Sequence, residues 1–113
     1  MKPTQFDYVR PDSLDEALSA LAENDDAKVI AGGQSLVPAL NMRLLRPSIL
    51  VDINRVPELD NVTRGSTSSL VVGARVRQSD PRLNAHLVLA AVLPHVGHTV
   101  TRNRGTVCGS IAH

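Results

Sequence analysis

Polar and apolar positions set out a regular order of elements over the first sixty residues. FDYV at 6–9 is a short strand pattern that Arg10 and Pro11 close. Ser13 and Glu16 then form a capping box, in which hydroxyl and carboxylate satisfy amides that have no partner inside the helix. Leu14, Ala17, Leu18, Leu21 and Ala22 follow at helical spacing and predict one apolar stripe over residues 13–24. The run at 28–31 is apolar without alternation and predicts a strand covered on both faces. A second helix is expected from about residue 34 to 44, ending before Pro47 because the residue preceding a proline avoids helical angles. ILVDI at 49–53 reads as a third strand. Strand and helix in this alternation imply a small parallel βαβαβ sheet with right-handed crossovers.

After Pro57 the pattern changes. Residues 62–64 and 70–74 read as two strands joined by the polar turn GSTSS, an antiparallel hairpin. A helix is expected near Ser79, Asp80 and Pro81, with a capping side chain before a proline at the first helical position. A more apolar helix follows over roughly 87–96, with Pro94 late in it. The tail HTVTRNRGTVCGSIAH is rich in Gly and Thr and reads as a loop ending in a strand such as SIA at 110–112. Such a strand lacks a partner, so the chain looks cut short. The expected class is therefore α/β (α+β), with a small parallel subdomain at 1–58 and the start of a second, antiparallel subdomain at 59–113.

Composition narrows the functional classes. The chain has 113 residues and 42% hydrophobic residues. It contains no apolar run near the roughly 20 residues of a membrane span. Its start, MKPTQFDYVRPDS, lacks the apolar segment of a secretory signal. The one cysteine, Cys108, excludes an internal disulfide and a cysteine metal cluster. A reducing, cytoplasmic setting is the default expectation. Residues 1–60 carry six Lys/Arg against ten Asp/Glu, whereas residues 61–113 carry six arginines against Asp80 alone. That asymmetry suits an anionic cofactor or an acidic partner subunit. It suits nucleic acid less, because stacking aromatics are needed among the cations and the chain has only Phe6 and Tyr8.

Two stretches could carry chemistry. In KVIAGGQSLVP at 28–38, a strand gives way to a helix at Gly32 and Gly33, followed by Gln34 and Ser35. First-turn amides lack helical partners and carry the positive end of the helix dipole, and glycines remove the Cβ atoms that would hold a ligand away. A diphosphate suits such a place. The plainer reading is a tight turn with Ser35 as the helix cap. No Lys follows the glycines as in a Walker A loop, and Leu36 stands where a Rossmann fingerprint has its third glycine. The second stretch, TRNRGTVCGS at 101–110, again joins glycines to hydroxyl donors and adds Arg102 and Arg104, whose guanidinium groups suit phosphate oxygens. Its plainer reading is an exposed polar loop. Two small-residue loops in so short a chain make sense together if both converge on one diphosphate. Elsewhere, His95 and His98 are spaced to share a helix face but lack a third ligand nearby. Asp52 is placed to cap a turn, and Lys28 is either a solvated lysine or a contact near an adenosine.

At these two loops the sequence resembles the FAD-binding (medium) subunit of the molybdenum hydroxylases, the family of xanthine dehydrogenase and aerobic carbon monoxide dehydrogenase. The carrying residues are AGGQSL from 31 and TRNRGTVCGSIAH from 101, supported by FDYVRPDSLDEAL from 6 and RPSILVDIN at 46–54. The resemblance covers essentially the whole chain. It implies the FAD-binding fold of vanillyl-alcohol oxidase, a small βαβαβ subdomain and a larger antiparallel one with FAD between them. It implies that Ala31, Gly32, Gly33, Gln34 and Ser35 form one diphosphate loop, followed by Leu36. Thr106, Val107, Cys108, Gly109 and Ser110 would form the other, with Arg102 adding positive potential beside Arg104. It also implies non-covalent FAD, with 2Fe–2S clusters on a small partner subunit and a molybdenum cofactor on a large one. Cys108 departs from the pattern, since the family usually has two consecutive glycines there. A different class of function is a non-catalytic module that keeps the fold, binds no flavin and docks partner subunits.

Overall fold

The computed structural model describes residues 1–66 and 68–113. Thr67, in the turn of the expected hairpin, lies outside the described residues. Three strands, β1 (Asp7–Val9), β2 (Lys28–Ile30) and β3 (Ile49–Asp52), form a parallel sheet in the order β1-β3-β2. Tyr8 pairs with Leu50, and Val29 pairs with Val51. The crossovers run through α1 (Leu14–Ala22) and α2 (Leu36–Asn41). The Ser13 hydroxyl accepts from the Glu16 amide, as the capping box requires, while the Glu16 carboxylate takes the amide of Asp12.

Central position decides which strand is buried. Val51 is fully buried and packs with Ala17, Ile53 and Val56 into a core that Leu14, Leu21 and Leu59 close. The expectation that residues 28–31 are covered on both faces is corrected: β2 is an edge strand, and Val29 is 44% exposed. It is β3, between two neighbours, that has cover on both sides. α2 is also shorter than expected, because Arg43 turns to φ 57° and ends it.

The second half begins with the expected hairpin, β4 (Val62–Arg64) against β5 (Leu70–Val72), antiparallel with Thr63 opposite Val71. Asp80 caps a 3-10 turn, Pro81–Ala85, whose Leu83 is fully buried. The apolar helix is α3 (Leu87–Val92), and Pro94 sits in a further 3-10 turn, Leu93–His95. The tail is neither loop nor strand. It folds as α4 (Thr99–Arg104) and α5 (Val107–Ala112), separated by an extended step at Gly105 and Thr106. A strand was expected at 110–112, but the Thr106 hydroxyl caps α5 by accepting from the Gly109 amide at 3.0 Å. His95 ends its 3-10 turn and His98 precedes α4, so the two do not share a helix. Among the described residues no His, Cys, Asp and Glu cluster could hold a metal ion. Among them, too, no helix is long and apolar enough to cross a membrane.

Candidate functional site

β2 ends at Ile30, and the chain turns out of the sheet through Ala31, Gly32 and Gly33, the last at φ 75°. A left-handed residue here redirects the strand into α2, a conformation glycine adopts freely. Ser35 takes the cap position of α2, but its side chain makes no capping bond. Among the described residues no protein acceptor takes the amides of residues 33–36; donation begins at Val37, to the Gly33 carbonyl at 3.0 Å, and continues at Ala39, to the Ser35 carbonyl at 3.4 Å.

The second segment meets the first directly. A Cβ on Gly32 would lie 2.9 Å from the Gly105 Cα and would run into the Arg104 carbonyl oxygen. Gly32 is thus small so that the other loop can reach it, which differs from the sequence argument that it bares backbone for a ligand. Both segments then line one cleft of about 380 Å³. Ten predicted residues are gathered there: Ala31, Gly32, Gly33, Gln34, Ser35, Leu36, Thr106, Cys108, Gly109 and Ser110. Val29, Ile53 and Ala74 supply apolar walls, which accounts for an apolar residue on the exposed side of edge strand β2.

Two predicted residues are placed elsewhere. Val107 is absent from the cleft wall. Arg102 points away: its Nη1 donates to the carbonyls of Pro94, Val96 and Gly97 at 3.1–3.2 Å, and its Nη2 to the Thr99 hydroxyl at 3.2 Å. That guanidinium ties down the bend before α4. Cys108 lines the cleft, yet its Sγ stands 3.5 Å from the Val72 carbonyl oxygen and 3.7 Å from that of Gly73, so the thiol is aimed at the end of β5.

A polar network missed by sequence reasoning holds the two segments. Asp52, 7% exposed at the end of β3, accepts at Oδ1 from the Asn54 amide at 2.8 Å and from its side chain at 2.7 Å. This is the turn that Asp52 was expected to cap. Its Oδ2 accepts from the Tyr8 hydroxyl and lies 3.8 Å from Arg10 Nε. Burial pushes the Asp52 carboxyl up, but the bonds from Tyr8 and Asn54, with Arg10, outweigh it and hold the group below its ordinary value. The Tyr8 hydroxyl is correspondingly raised, chiefly because it donates to Asp52. Asn54 Nδ2 also donates to the Ala31 carbonyl at 2.8 Å. On the other side, buried Gln78 donates from its backbone to the Gly105 carbonyl at 2.8 Å and from Nε2 to Ser110 Oγ at 2.7 Å. A polar side chain only 5% exposed signals such a role, but nothing local in the sequence marks Gln78 as buried.

Residues 4–113 match the family described as the FAD binding domain in molybdopterin dehydrogenase. The chain belongs to this family. The 6-hydroxypseudooxynicotine dehydrogenase complex subunit alpha of Paenarthrobacter nicotinovorans is 50% identical over the whole chain, which spans 40% of that protein. The carbon monoxide dehydrogenase medium chain of Hydrogenophaga pseudoflava is 40% identical, with the whole chain matched to 41% of it. The solved quinoline 2-oxidoreductase from Pseudomonas putida 86 superposes with a TM-score of 0.90 at 46% identity, covering 100% of this chain and 41% of its own. The chain thus spans about two fifths of the length of the relatives it matches. These relatives are subunits of dehydrogenases and oxidoreductases, and the mixed helix and strand architecture expected from the sequence is the one they share.

The cleft of this FAD-binding domain fits a dinucleotide in its donor chemistry. Amides of residues 33–36 without a protein acceptor stand beside the hydroxyls of Ser35 and Ser110, and no Asp or Glu is among the described lining residues. A diphosphate needs several donors and no competing anion, and the apolar walls suit a ring system.

Proposed function

We propose that this chain is the FAD-binding portion of a molybdenum hydroxylase medium subunit and that the cleft between residues 31–36 and 105–110 takes the FAD diphosphate. The observation that carries this reading is the convergence of the two glycine segments, some seventy positions apart, on one cleft within a family match spanning residues 4–113. The amides of residues 33–36 would hold the diphosphate oxygens, with Ser35 and Ser110 as hydroxyl donors. Val29, Ile53 and Ala74 would exclude water from the apolar part of the ligand. When bound, FAD supplies the redox chemistry that passes electrons from iron–sulfur clusters to an external acceptor. Those 2Fe–2S clusters and the molybdenum cofactor would sit on a small and a large partner subunit, and the assembly would be cytoplasmic. With a parallel subdomain at 1–58 and a second one from 59, the ligand would lie at their junction.

The test is optical. The full-length protein, incubated with FAD and then freed of unbound flavin by gel filtration, should elute yellow and absorb at about 450 nm, as oxidised flavins do. Protein that elutes colourless after this treatment would overturn the flavin reading and leave the docking module in its place.

A further inference from the structure

Arg77 belongs to neither glycine segment, yet it is joined to both. Its Nη1 donates to the Arg104 carbonyl at 2.8 Å and its Nη2 to Asn54 Oδ1 at 2.5 Å. Asn54 in turn donates to the Ala31 carbonyl at 2.8 Å. Two side chains therefore span from the last residue before Gly32 to the last residue before Gly105. Among the described residues both acceptors of the guanidinium are neutral, and no carboxylate lies within 4.0 Å of it. Charge neutralisation does not explain its place. What a guanidinium offers here is two donors at a fixed separation, which a flexible ammonium cannot reproduce.

We infer that Arg77, through Asn54, is a positioning residue that sets the spacing of residues 31–36 against residues 104–110. The inference rests on the flavin reading for the identity of the ligand, but not for the bridge itself. Holding both segments at one separation before the ligand arrives lowers the ordering cost of binding. Asp52 supports the bridge by fixing the Asn54 amide, and the backbone pairing of Arg77 with Thr106 keeps the guanidinium level with the second segment.

The experiment uses the full-length protein with Arg77→Gln, Arg77→Lys, Asn54→Ala and the Arg77→Gln/Asn54→Ala double variant. FAD affinity is read by flavin fluorescence, and amide hydrogen exchange is read without ligand. Loss of hydrogen bonds from a charged donor should weaken FAD binding about tenfold or more in Arg77→Gln. Lys should restore little of this, and the double variant should be no worse than the weaker single one, because both break the same bridge. Exchange should accelerate at the hydrogen-bonded amides of both segments, Val37 and Gly105, while the β3 amides stay protected. Full rescue by Lys would overturn the inference in favour of simple charge, as would additive effects or unchanged exchange in the two segments. Should the unmodified protein bind no FAD, the functional reading fails, and the exchange arm alone still decides the role of Arg77.

Discussion

Gly32 and Gly105 sit back to back, so close that a Cβ on Gly32 would stand 2.9 Å from the Gly105 Cα. The two segments of the cleft are in contact at their bases and open above them. The consequence is that the glycine pair has divided duties: Gly32 admits the second segment, and Gly33 makes the left-handed turn that starts α2.

Gly32→Ala should therefore harm folding as well as binding. The obstruction is backbone, not a side chain that can swing away, and overpacking of this kind costs about 1–3 kcal/mol. Urea unfolding should show that loss, with FAD affinity falling in the same variant. A variant of unchanged stability would mean that the two segments are not in contact.

Gly33→Ala tests the other duty. An alanine there bears φ 75° and brings its Cβ to 3.2 Å from Val37 Cγ2, a side chain that can yield. The expected cost is about 1–2 kcal/mol, mostly backbone. Gly33→Asn should lose less, since asparagine tolerates the left-handed region better. Equal losses in the two variants would show that the contact, not the dihedral angle, dominates.

The Tyr8 and Asp52 pair makes stability depend on pH at both ends. Asp52 titrates below its ordinary 3.8 when folded, so its contribution is complete above that value and is lost as pH falls through the folded pKa. Tyr8 titrates above 10.0 when folded, so its contribution holds below that value and is lost as pH rises through the folded pKa. Asp52→Asn should cost about 1.5–3 kcal/mol at neutral pH and flatten the acid limb. Urea midpoints followed from neutral into acid would check this. An acid limb identical in both proteins would contradict it.

Cys108 stands where the family resemblance implies the first of two consecutive glycines, and its thiol is turned toward the Val72 carbonyl. Cys108→Gly should lower stability by about 1 kcal/mol or less, since glycine is the poorer helix former in α5, and leave FAD affinity unchanged. A gain in affinity would show instead that Sγ crowds the ligand.

Elements set by local chemistry were legible in the sequence. The Ser13 cap, the parallel βαβαβ order, the β4–β5 hairpin and the Asp80 and Pro81 turn all follow from neighbours a few residues apart. Burial of β2 was misjudged because an apolar residue facing a cleft looks the same, in sequence, as one facing a core. The helical tail was missed because Thr106 acts as a cap only once Gly109 turns back to it. For the cleft, small residues announced both segments. The bridge that joins them did not announce itself: Arg77 reaches 23 positions back to Asn54 and 27 forward to Arg104, and no spacing rule encodes such contacts. Arg102 showed the reverse error, an arginine with the right chemistry whose donors are used by carbonyls of its own bend.

Hydrogen exchange of the full-length protein with and without FAD examines the shared grip most directly. FAD should slow exchange at the amides of residues 33–36 and, at the same ligand concentration, at the amide of Cys108, which takes no acceptor among the described residues. Protection confined to one of the two segments, or absent from both while FAD is bound, would contradict a single dinucleotide held between them.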